Sequence, residues 1–256
     1  MKQKLFNIKL DITDYKGVFA ELDRYFLSDE SHTIFFVNAH CFNIAQTNNE
    51  YRRSINDSDL SLNDGIGISI ACRVAGINPL ENLNGTDLIP RIIKEAAIKG
   101  VGVYLLGGEK GISENAAKKF KEDIPQVKIS GTRSGYFSED QKQEIIENIN
   151  NSEAGLLILG MGVPRQELWA ARNKNLLKKV RIIIAGGAIL DFTAGKVKRA
   201  PLWLRKIRLE WLYRLYLEPK RLWKRYIIGN MVFFYYIFKY KISPGNKQKP
   251  VALLKQ

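Results

Sequence analysis

The stretch GLLILGMG, residues 155–162, is a continuous apolar run that ends in glycines. A strand with one face in water alternates apolar and polar residues, so an unbroken run indicates a strand covered on both faces, as in a parallel sheet between helices. Runs of the same kind are GVYLLGG at 102–108 and VRIIIAGGA at 180–188. These three segments predict the centre of a parallel sheet.

Further strand and helix patterns alternate around this centre. The additional predicted strands are at 4–10, 32–39 and 127–132, and the predicted helices are at 14–28, 41–56, 112–122, 138–150 and 165–177. Such alternation is typical of doubly wound sheets. The predicted fold class is therefore α/β, with a Rossmann-like, mostly parallel sheet between helix layers.

Glycines cluster where the predicted central strands end. They are Gly107, Gly108, Gly160, Gly162, Gly186 and Gly187. Because ligands of such sheets bind outside the carboxyl ends of the strands, one shared crevice is expected there. None of the glycine segments completes G-x-G-x-x-G or G-x-x-x-x-G-K-[ST], which argues against a dehydrogenase and a P-loop nucleotidase. The segment GGEKG at 107–111 precedes a predicted helix and could bind a diphosphate through backbone amides, although a plain strand-to-helix turn is the simpler explanation.

Composition limits the class of protein. The 256 residues are 45% hydrophobic and carry a net charge of +14. One main domain with an appendage is expected, together with a polyanionic partner, which could be nucleic acid, an anionic membrane or a substrate carrying pyrophosphate. Cys41 and Cys72 lie in apolar contexts and are expected to be buried thiols. The first residues lack the apolar core of a signal peptide, so the catalytic part is expected in the cytoplasm.

The composition changes sharply after residue 195. Residues 196–241 contain thirteen Lys or Arg but two acids, Glu210 and Glu218, with aromatic residues between them. The apolar run at 226–238 is shorter than the roughly 20 residues that span a bilayer. Cationic and aromatic residues at helical spacing suit a helix on an anionic membrane; the alternative is that the aromatic residues pack this segment onto the main domain.

The predicted organisation therefore has three parts. They are an α/β catalytic core at 1–195, a basic helical membrane-binding appendage at 196–242 and a flexible tail at 243–256.

A few polar positions near the predicted strand ends could carry chemistry. They are Asp64, Asp87, Asp191 and the pair Gln166 and Glu167. Asp87 stands at a plausible helix start, where capping explains it. Asp64 follows the apolar run LSL and precedes a glycine, so its carboxylate could approach a substrate and act as a general base; a turn residue remains an equal alternative from the residues alone. His32 and His40 show no metal-ligand spacing, and neither a metal site nor a cofactor is predicted.

Five segments taken together resemble the WecG/TagA/CpsF family of bacterial glycosyltransferases. They are VNAHCFNIA (37–45), LSLNDGIGI (60–68), NGTDLIPRI (84–92), LGMGVPRQELW (159–169) and the segment at 186–226 that begins GGAILDFTAGKVKRAP. The resemblance implies transfer of N-acetylmannosamine from a UDP donor to undecaprenyl-pyrophosphate-linked N-acetylglucosamine, with inversion and without a required metal. Reactions of this kind build teichoic acid linkage units, enterobacterial common antigen, capsule and exopolysaccharide.

The resemblance also implies roles for individual residues. Asp64 matches the family's proposed base and Gln166 an active-site polar contact, so these two are the predicted catalytic residues. The predicted substrate-binding residues are Asn38, Asn82, Gly107, Gly108, Gly162, Asp191, Arg214, Arg221 and Lys224. The three cations are expected over the active site, because a metal-free transferase must neutralise the UDP leaving group with protein cations or dipoles; contact with lipid head groups is the alternative.

Two positions depart from the family pattern. Phe36 and Asn82 stand where family members often have Thr and Arg, so a different UDP-hexose or UDP-uronic acid donor remains an alternative. A nucleic-acid-binding protein is a second alternative, motivated by charge, but the sequence carries no RRM, KH or helix-turn-helix signature. The expected partners are the UDP-sugar, the polyprenyl-pyrophosphate-linked acceptor and the anionic inner face of the bacterial plasma membrane, without nucleic acid. The sequence leaves the oligomeric state open, a homo-oligomer included.

Overall fold

An eight-stranded sheet forms the middle of the protein. The computed structural model describes residues 2–242. The strands are β1 (Lys2–Leu5), β2 (Ile8–Asp11), β3 (His32–Val37), β4 (Leu60–Asn63), β5 (Val103–Gly107), β6 (Ile129–Arg133), β7 (Leu156–Gly160) and β8 (Ile182–Ala185). Their order is β1-β2-β4-β3-β8-β7-β5-β6, and every neighbouring pair is parallel except β1 with β2. The predicted α/β class with a mostly parallel sheet is confirmed.

Helices cover both faces of this sheet. In chain order they are α1 (Tyr15–Leu27), α2 (Ala39–Thr47), α3 (Asn49–Asn56), α4 (Ile66–Val74), α5 (Gly85–Ile98), α6 (Ile112–Asp123), α7 (Lys142–Asn151), α8 (Arg165–Asn173), α9 (Ile189–Thr193), α10 (Leu202–Lys206), α11 (Glu210–Leu217), α12 (Pro219–Trp223) and α13 (Gly229–Ile242). A π-helical segment, Lys224–Ile228, joins α12 to α13. Helices α1, α5, α6 and α9 pack on one face, while α2, α3, α4, α7 and α8 pack on the other.

The central strands are apolar at every position because both of their faces are covered. Along β7, Leu156 and Ile158 join the core cluster that contains α5 and α6, whereas Leu157 and Leu159 pack with α7 and α8. All four side chains are fully buried. The period of two in side-chain direction therefore sends consecutive leucines and isoleucines into two different cores.

The N-terminal segment predicted as one strand at 4–10 is a hairpin, so that prediction is wrong. Strands β1 and β2 are antiparallel, Leu5 pairs with Ile8, and the turn holds Phe6 at a φ of 56°. Phe6 is buried against the rings of Phe42 and Tyr240, at centroid distances of 6.0 and 4.8 Å. This packing stabilises a turn whose residues lack the usual Asn-Gly or Asp-Gly signal.

The predicted helix at 41–56 is two helices, α2 and α3. Asn48 separates them, because its side chain accepts a hydrogen bond from the backbone N–H of Tyr51 and so caps α3. Helix α4 is additional to the predicted elements, whereas β4 and α5 were predicted only through the strand end before Asp64 and the helix start at Asp87. The segment IGISIACRV of α4 is apolar over most of its length, so its periodicity does not distinguish a helix from a buried strand.

The C-terminal helices fold back over the carboxyl ends of the strands. Phe233 of α13 is buried edge-on against Phe42 of α2, with ring centroids 5.3 Å apart, and Asn43 donates to the carbonyl of Gly229 at 2.7 Å. Part of the aromatic content therefore packs onto the main fold. Within residues 2–242, no helix is both long enough and apolar enough to cross a bilayer. The division at residue 195 stays a prediction, and the tail predicted at 243–256 lies outside the described residues.

Replacing Gly107 with alanine is expected to destabilise the fold. A Cβ at Gly107 would come within 2.4 Å of the Cα of Gly160 on β7, and this neighbour is backbone that cannot rotate away. Overpacking of this kind costs about 1–3 kcal/mol or more, which a lower urea midpoint would report.

The matched control is Gly229→Ala in α13. A Cβ there would meet no atom closer than 3.7 Å, and alanine is favoured over glycine inside a helix by about 1 kcal/mol. Its urea midpoint should stay unchanged or rise. Equal midpoints for the two variants would contradict the close approach of β5 and β7.

Candidate active site

Two cavities meet at the carboxyl ends of the parallel strands. The larger cavity, about 820 Å³, lies beside the loops that follow β5, β7 and β8. The smaller cavity, about 340 Å³, lies between the first turns of α2 and α4 and the C-terminal helices. The residues that line both are Asn38, Asp64, Thr86, Phe192, Arg214 and Arg225. Asp64 is therefore accessible from either side.

Asp64, directly after β4, is held by Val37 at the end of β3 and by Asn38, which follows it. Its backbone N–H donates to the carbonyl of Val37 at 2.9 Å, and Asn38 Nδ2 donates to Asp64 Oδ2 at 3.2 Å. Asn38 Oδ1 accepts from the backbone N–H groups of His40 and Cys41, which caps α2 and fixes the amide's orientation. The predicted residues Asn38 and Asp64 thus form one unit across two adjacent strands.

The turn after Asp64 requires glycine. Gly65 has a φ of 102°, and its N–H donates to the side-chain oxygen of Asn82 at 2.5 Å. Asn82 lines the smaller cavity and keeps the turn in place. In this way the chain leaves β4 sharply and the Asp64 carboxylate projects into the space between the cavities.

The surroundings of Asp64 favour a base. Burial raises the pKa of its carboxyl above the ordinary value, while the hydrogen bond from Asn38 and the charges of Arg225 and Arg214 partly oppose the shift. Once ionised, a carboxylate with a raised pKa is a stronger base than a solvated aspartate. The geometry supports proton removal from a bound hydroxyl.

Gln166 lies in the wall of the larger cavity with both ends of its amide engaged. Its Oε1 accepts from the backbone N–H of Gly187 at 3.0 Å, and its Nε2 donates to Glu167 Oε1 at 2.9 Å. Glu167 is buried, which raises the pKa of its carboxyl to about 7. This role of Glu167, whose buried carboxylate orients the amide of Gln166, was not predicted from the sequence.

Glycines form much of the rim of the larger cavity, and five of the six that the sequence places at the crevice line it: Gly108, Gly160, Gly162, Gly186 and Gly187. Gly108 and Gly162 line it, with φ values of 69° and 79°. Gly107 does not line either of the two cavities described here; it lies against Gly160 in the sheet. The structure thus gives Gly107 a packing role, next to the predicted binding role of Gly108.

The acids and cations at the outer edge of the larger cavity are paired with each other. Asp191 lies 3.9 Å from Lys196, which binds Glu109 at 2.8 Å, and Arg221 pairs with Glu218 on the preceding turn. Burial raises the pKa of Asp191, with Lys196 and Arg221 opposing that shift. Both predicted residues, Asp191 and Arg221, line the cavity.

The third predicted cation lies elsewhere. Lys224 is exposed over the ring of Trp223, at 5.8 Å from its centroid, and lines neither cavity. Arg225, which sequence reasoning missed, lines both. The sequence holds no local signal that distinguishes Arg225 from the neighbouring cations, because α11 ends at Leu217 and residues 224–228 are π-helical.

Asp87 serves as an anchor for the C-terminal segment. Arg199 donates to it at 2.8 Å and Arg205 at 3.4 Å, while Arg199 also reaches Glu210 at 3.3 Å. Burial raises the pKa of Asp87, but hydrogen bonds from Arg199 and Asn84 and the nearby cationic charges outweigh it, so the pKa lies below the ordinary value. Asp87 stays ionised and ties α5 to the helices that cover the cavities.

The two histidines have different surroundings. His32 stacks on Tyr25 and lies 3.1 Å from Asp59, remote from both cavities. His40 lines the smaller cavity, where burial and Arg225 lower its pKa to about 4 and keep it neutral. In the part of the chain that the structure describes, no three His, Cys, Asp or Glu side chains are grouped to hold a metal ion.

Comparisons with known proteins give this site a family context. The model of the glycosyl transferase WecG/TagA/CpsF family matches residues 3–247. An N-acetylglucosaminyldiphosphoundecaprenol N-acetyl-beta-D-mannosaminyltransferase of Bacillus subtilis (strain 168) is 30% identical over 176 residues, covering 69% of this chain and 67% of that protein. A protein of the same name from Bacillus spizizenii (strain ATCC 23059 / NRRL B-14472 / W23) is 30% identical over 182 residues, covering 71% and 69%.

Proposed function

The chain belongs to the WecG/TagA/CpsF family of glycosyltransferases, and from this premise we propose that it transfers N-acetylmannosamine from a UDP donor to N-acetylglucosaminyl-diphosphoundecaprenol. The names of both Bacillus relatives support this donor sugar and acceptor over a different UDP-hexose or UDP-uronic acid. Family membership also favours a transferase over the nucleic-acid-binding alternative. The observation that carries the proposal is the Asp64 carboxylate at the junction of the two cavities.

The larger cavity suits the UDP-sugar. Its volume of about 820 Å³ is that of a site for a large ligand. Its glycine rim lets a ligand approach the backbone closely, and Arg214, Lys220 and Arg221 line the opposite wall. In the proposed reaction these cations neutralise the charge that develops on the departing diphosphate, the role that a metal ion has in other transferases.

The proposed chemical step is a single displacement. Asp64 takes the proton from an acceptor hydroxyl as that oxygen forms a bond to the anomeric carbon of the donor sugar. The bond from the anomeric carbon to the UDP oxygen breaks, and its electron pair leaves with the diphosphate. Attack from the face opposite UDP inverts the anomeric configuration. Asn38 orients the base through the hydrogen bond to Asp64, and Gln166, held by Gly187 and Glu167, forms part of the wall on the donor side.

Contact with an anionic membrane is the second part of the proposal. Several apolar side chains of the C-terminal helices are exposed, among them Met231 (70%), Tyr235 (60%) and Phe238 (63%) on α13. Lys239 and Lys241 follow on the same helix. An apolar surface flanked by cations is what an interfacial helix needs. We place the enzyme at the inner face of the plasma membrane, where its lipid-linked acceptor would lie.

Asp64→Asn is expected to abolish most of the transfer activity. The amide keeps the shape of the side chain and the contact with Asn38 but cannot accept the proton, so the turnover number with UDP-N-acetylmannosamine and a short-chain lipid-linked acceptor should fall about 10²–10⁴-fold. Asp140→Asn, at an exposed position outside both cavities, is the control and should be as active as the wild type. Near wild-type turnover by Asp64→Asn would refute the assignment of the base.

The double variant Tyr235→Glu, Phe238→Glu should lose binding to vesicles that contain anionic lipid, because it places negative charge on the surface that is proposed to enter the interface. Neither residue lines the larger or the smaller cavity of the site, so turnover of a short-chain acceptor in solution should be retained. Leu27→Glu is the matched control, since Leu27 is 88% exposed at the end of α1 that faces the amino ends of the strands. If vesicle flotation shows the same binding for both variants, the surface on α13 is not the membrane contact.

A further inference from the structure

The smaller cavity is lined by three arginines whose Nε donors find no hydrogen-bond acceptor within residues 2–242. The Nε atoms of Arg205, Arg214 and Arg225 are buried and have no hydrogen-bond partner there, and all three residues line this cavity. A buried donor on a charged group is costly to leave unpaired. The cluster therefore indicates a ligand whose negatively charged groups accept hydrogen bonds from these arginines.

Acids in the same wall do not fill this need. Asp87 and Glu210 line the cavity, but Arg199 binds both of them from outside it. Among the described residues, Arg208, Arg214 and Arg225 have no acidic partner within ion-pair distance. The cavity thus keeps an excess of cationic groups on the side away from the sheet.

The backbone at Arg208 is unusual in the same place. Arg208 has a φ of 61°, a conformation that residues with a side chain rarely adopt, in the short link between α10 and α11. Its side chain is exposed at the mouth of the smaller cavity. Strained backbone of this kind is often kept where it positions a functional side chain.

The outer wall of the smaller cavity is apolar and aromatic. It is formed by Ile66, Ile70, Trp211, Tyr226, Phe233 and Phe234. Phe234 is half exposed, and it continues into the exposed surface of α13. A ligand with anionic groups at the arginines could therefore extend an apolar chain along this wall and out to the membrane surface.

We propose that the smaller cavity binds the diphosphate of the lipid-linked acceptor, with Arg205, Arg208 and Arg225 on its phosphate oxygens. The donor and acceptor diphosphates then occupy separate cavities on two sides of Asp64. Arg214 and Arg225, which line both cavities, lie between the two anionic groups and reduce their repulsion. This assignment rests on the proposed function, because it takes the acceptor to be a glycosyl diphosphate on a lipid.

The test compares Arg208→Gln with Arg221→Gln. Arg208 is exposed and unpaired among the described residues, so its loss spares the fold, whereas Arg205 also holds Asp87 and is a poorer choice. With UDP-N-acetylmannosamine and a short-chain N-acetylglucosaminyl diphosphate, Arg208→Gln should raise KM for the acceptor about tenfold and leave KM for the donor unchanged. Arg221→Gln, in the larger cavity, should raise KM for the donor and leave KM for the acceptor unchanged. Arg208→Lys should recover part of the acceptor affinity.

A binding measurement separates this inference from the proposed function. Calorimetry with the same short-chain acceptor, without donor, should show weaker binding to Arg208→Gln than to the wild type and to Arg221→Gln. If the wild type binds this acceptor but transfers no sugar, the proposed donor or reaction is wrong while the acceptor site stands. Equal binding by the wild type and Arg208→Gln, or a change in donor KM alone, would overturn the inference.

A second arm distinguishes the acceptor diphosphate from a lipid head group. Anionic vesicles without acceptor should bind Arg208→Gln as they bind the wild type. If Arg208→Gln loses vesicle binding while it binds the short-chain acceptor normally, the arginines serve head groups, and the assignment of the smaller cavity to the acceptor diphosphate is wrong.

Discussion

The hydrogen bond from Asn38 to Asp64 is the contact on which the site depends. It joins the residues that follow two neighbouring parallel strands, β3 and β4, and it holds a carboxylate at a point that is open to two cavities. The contact depends on the sheet, since the carboxyl ends of parallel strands meet at one edge. It also depends on Gly65 and Asn82, which turn the chain away from the carboxylate. The position of the Asp64 carboxylate between the two cavities is therefore fixed by the edge of the sheet.

The C-terminal helices complete the site by bringing cations to it. The ion pairs that join Asp87, Arg199 and Glu210 fix α11 over the strand ends, and the packing of Phe233 on Phe42 fixes α13. Arg214 and Arg225 then lie beside Asp64, where their charges limit the rise in its pKa that burial causes. The same side chains face the two proposed diphosphates. One structural unit thus sets both the strength of the base and the charge of the cavities.

The sequence predicts the parts of this structure that local pattern determines. Continuous apolar runs identify β5, β7 and β8, because strands covered on both faces cannot alternate. The N-terminal hairpin was not predictable in this way, since Phe6 is stabilised in its turn by rings from α2 and α13 that are distant in sequence. The position of Asp64 after a strand and before a glycine made it a candidate base, and the family resemblance favoured that role over a turn residue. Arg225 was missed because the path through the π-helical segment, which decides which cations face inward, depends on packing.

The roles of some other residues can be recognised only from the folded structure. The glycine at 107 belongs to a segment that a diphosphate could bind, yet its contact is with Gly160, because only the register of β5 and β7 brings these two glycines together. Glu167 follows Gln166 in the sequence, and only burial shows that it orients that amide. The separation of the site into two cavities results from helices more than a hundred residues away in the chain. The sequence pattern predicts the strands and helices, whereas the contacts between their residues are known only from the packing.

The central claim is that Asp64 acts as a base whose proton affinity is set by burial and by the adjacent arginines. The most direct measurement is the pH dependence of kcat/KM for the wild type, Arg225→Gln and Arg225→Lys. Protonation of Asp64 stops the reaction, so activity should fall as pH decreases through a pKa above the ordinary aspartate value of 3.8. Loss of the positive charge in Arg225→Gln should move this acid limb to higher pH, whereas Arg225→Lys should leave it near the wild-type position. An acid limb that stays in place in Arg225→Gln, or moves to lower pH, would contradict the account.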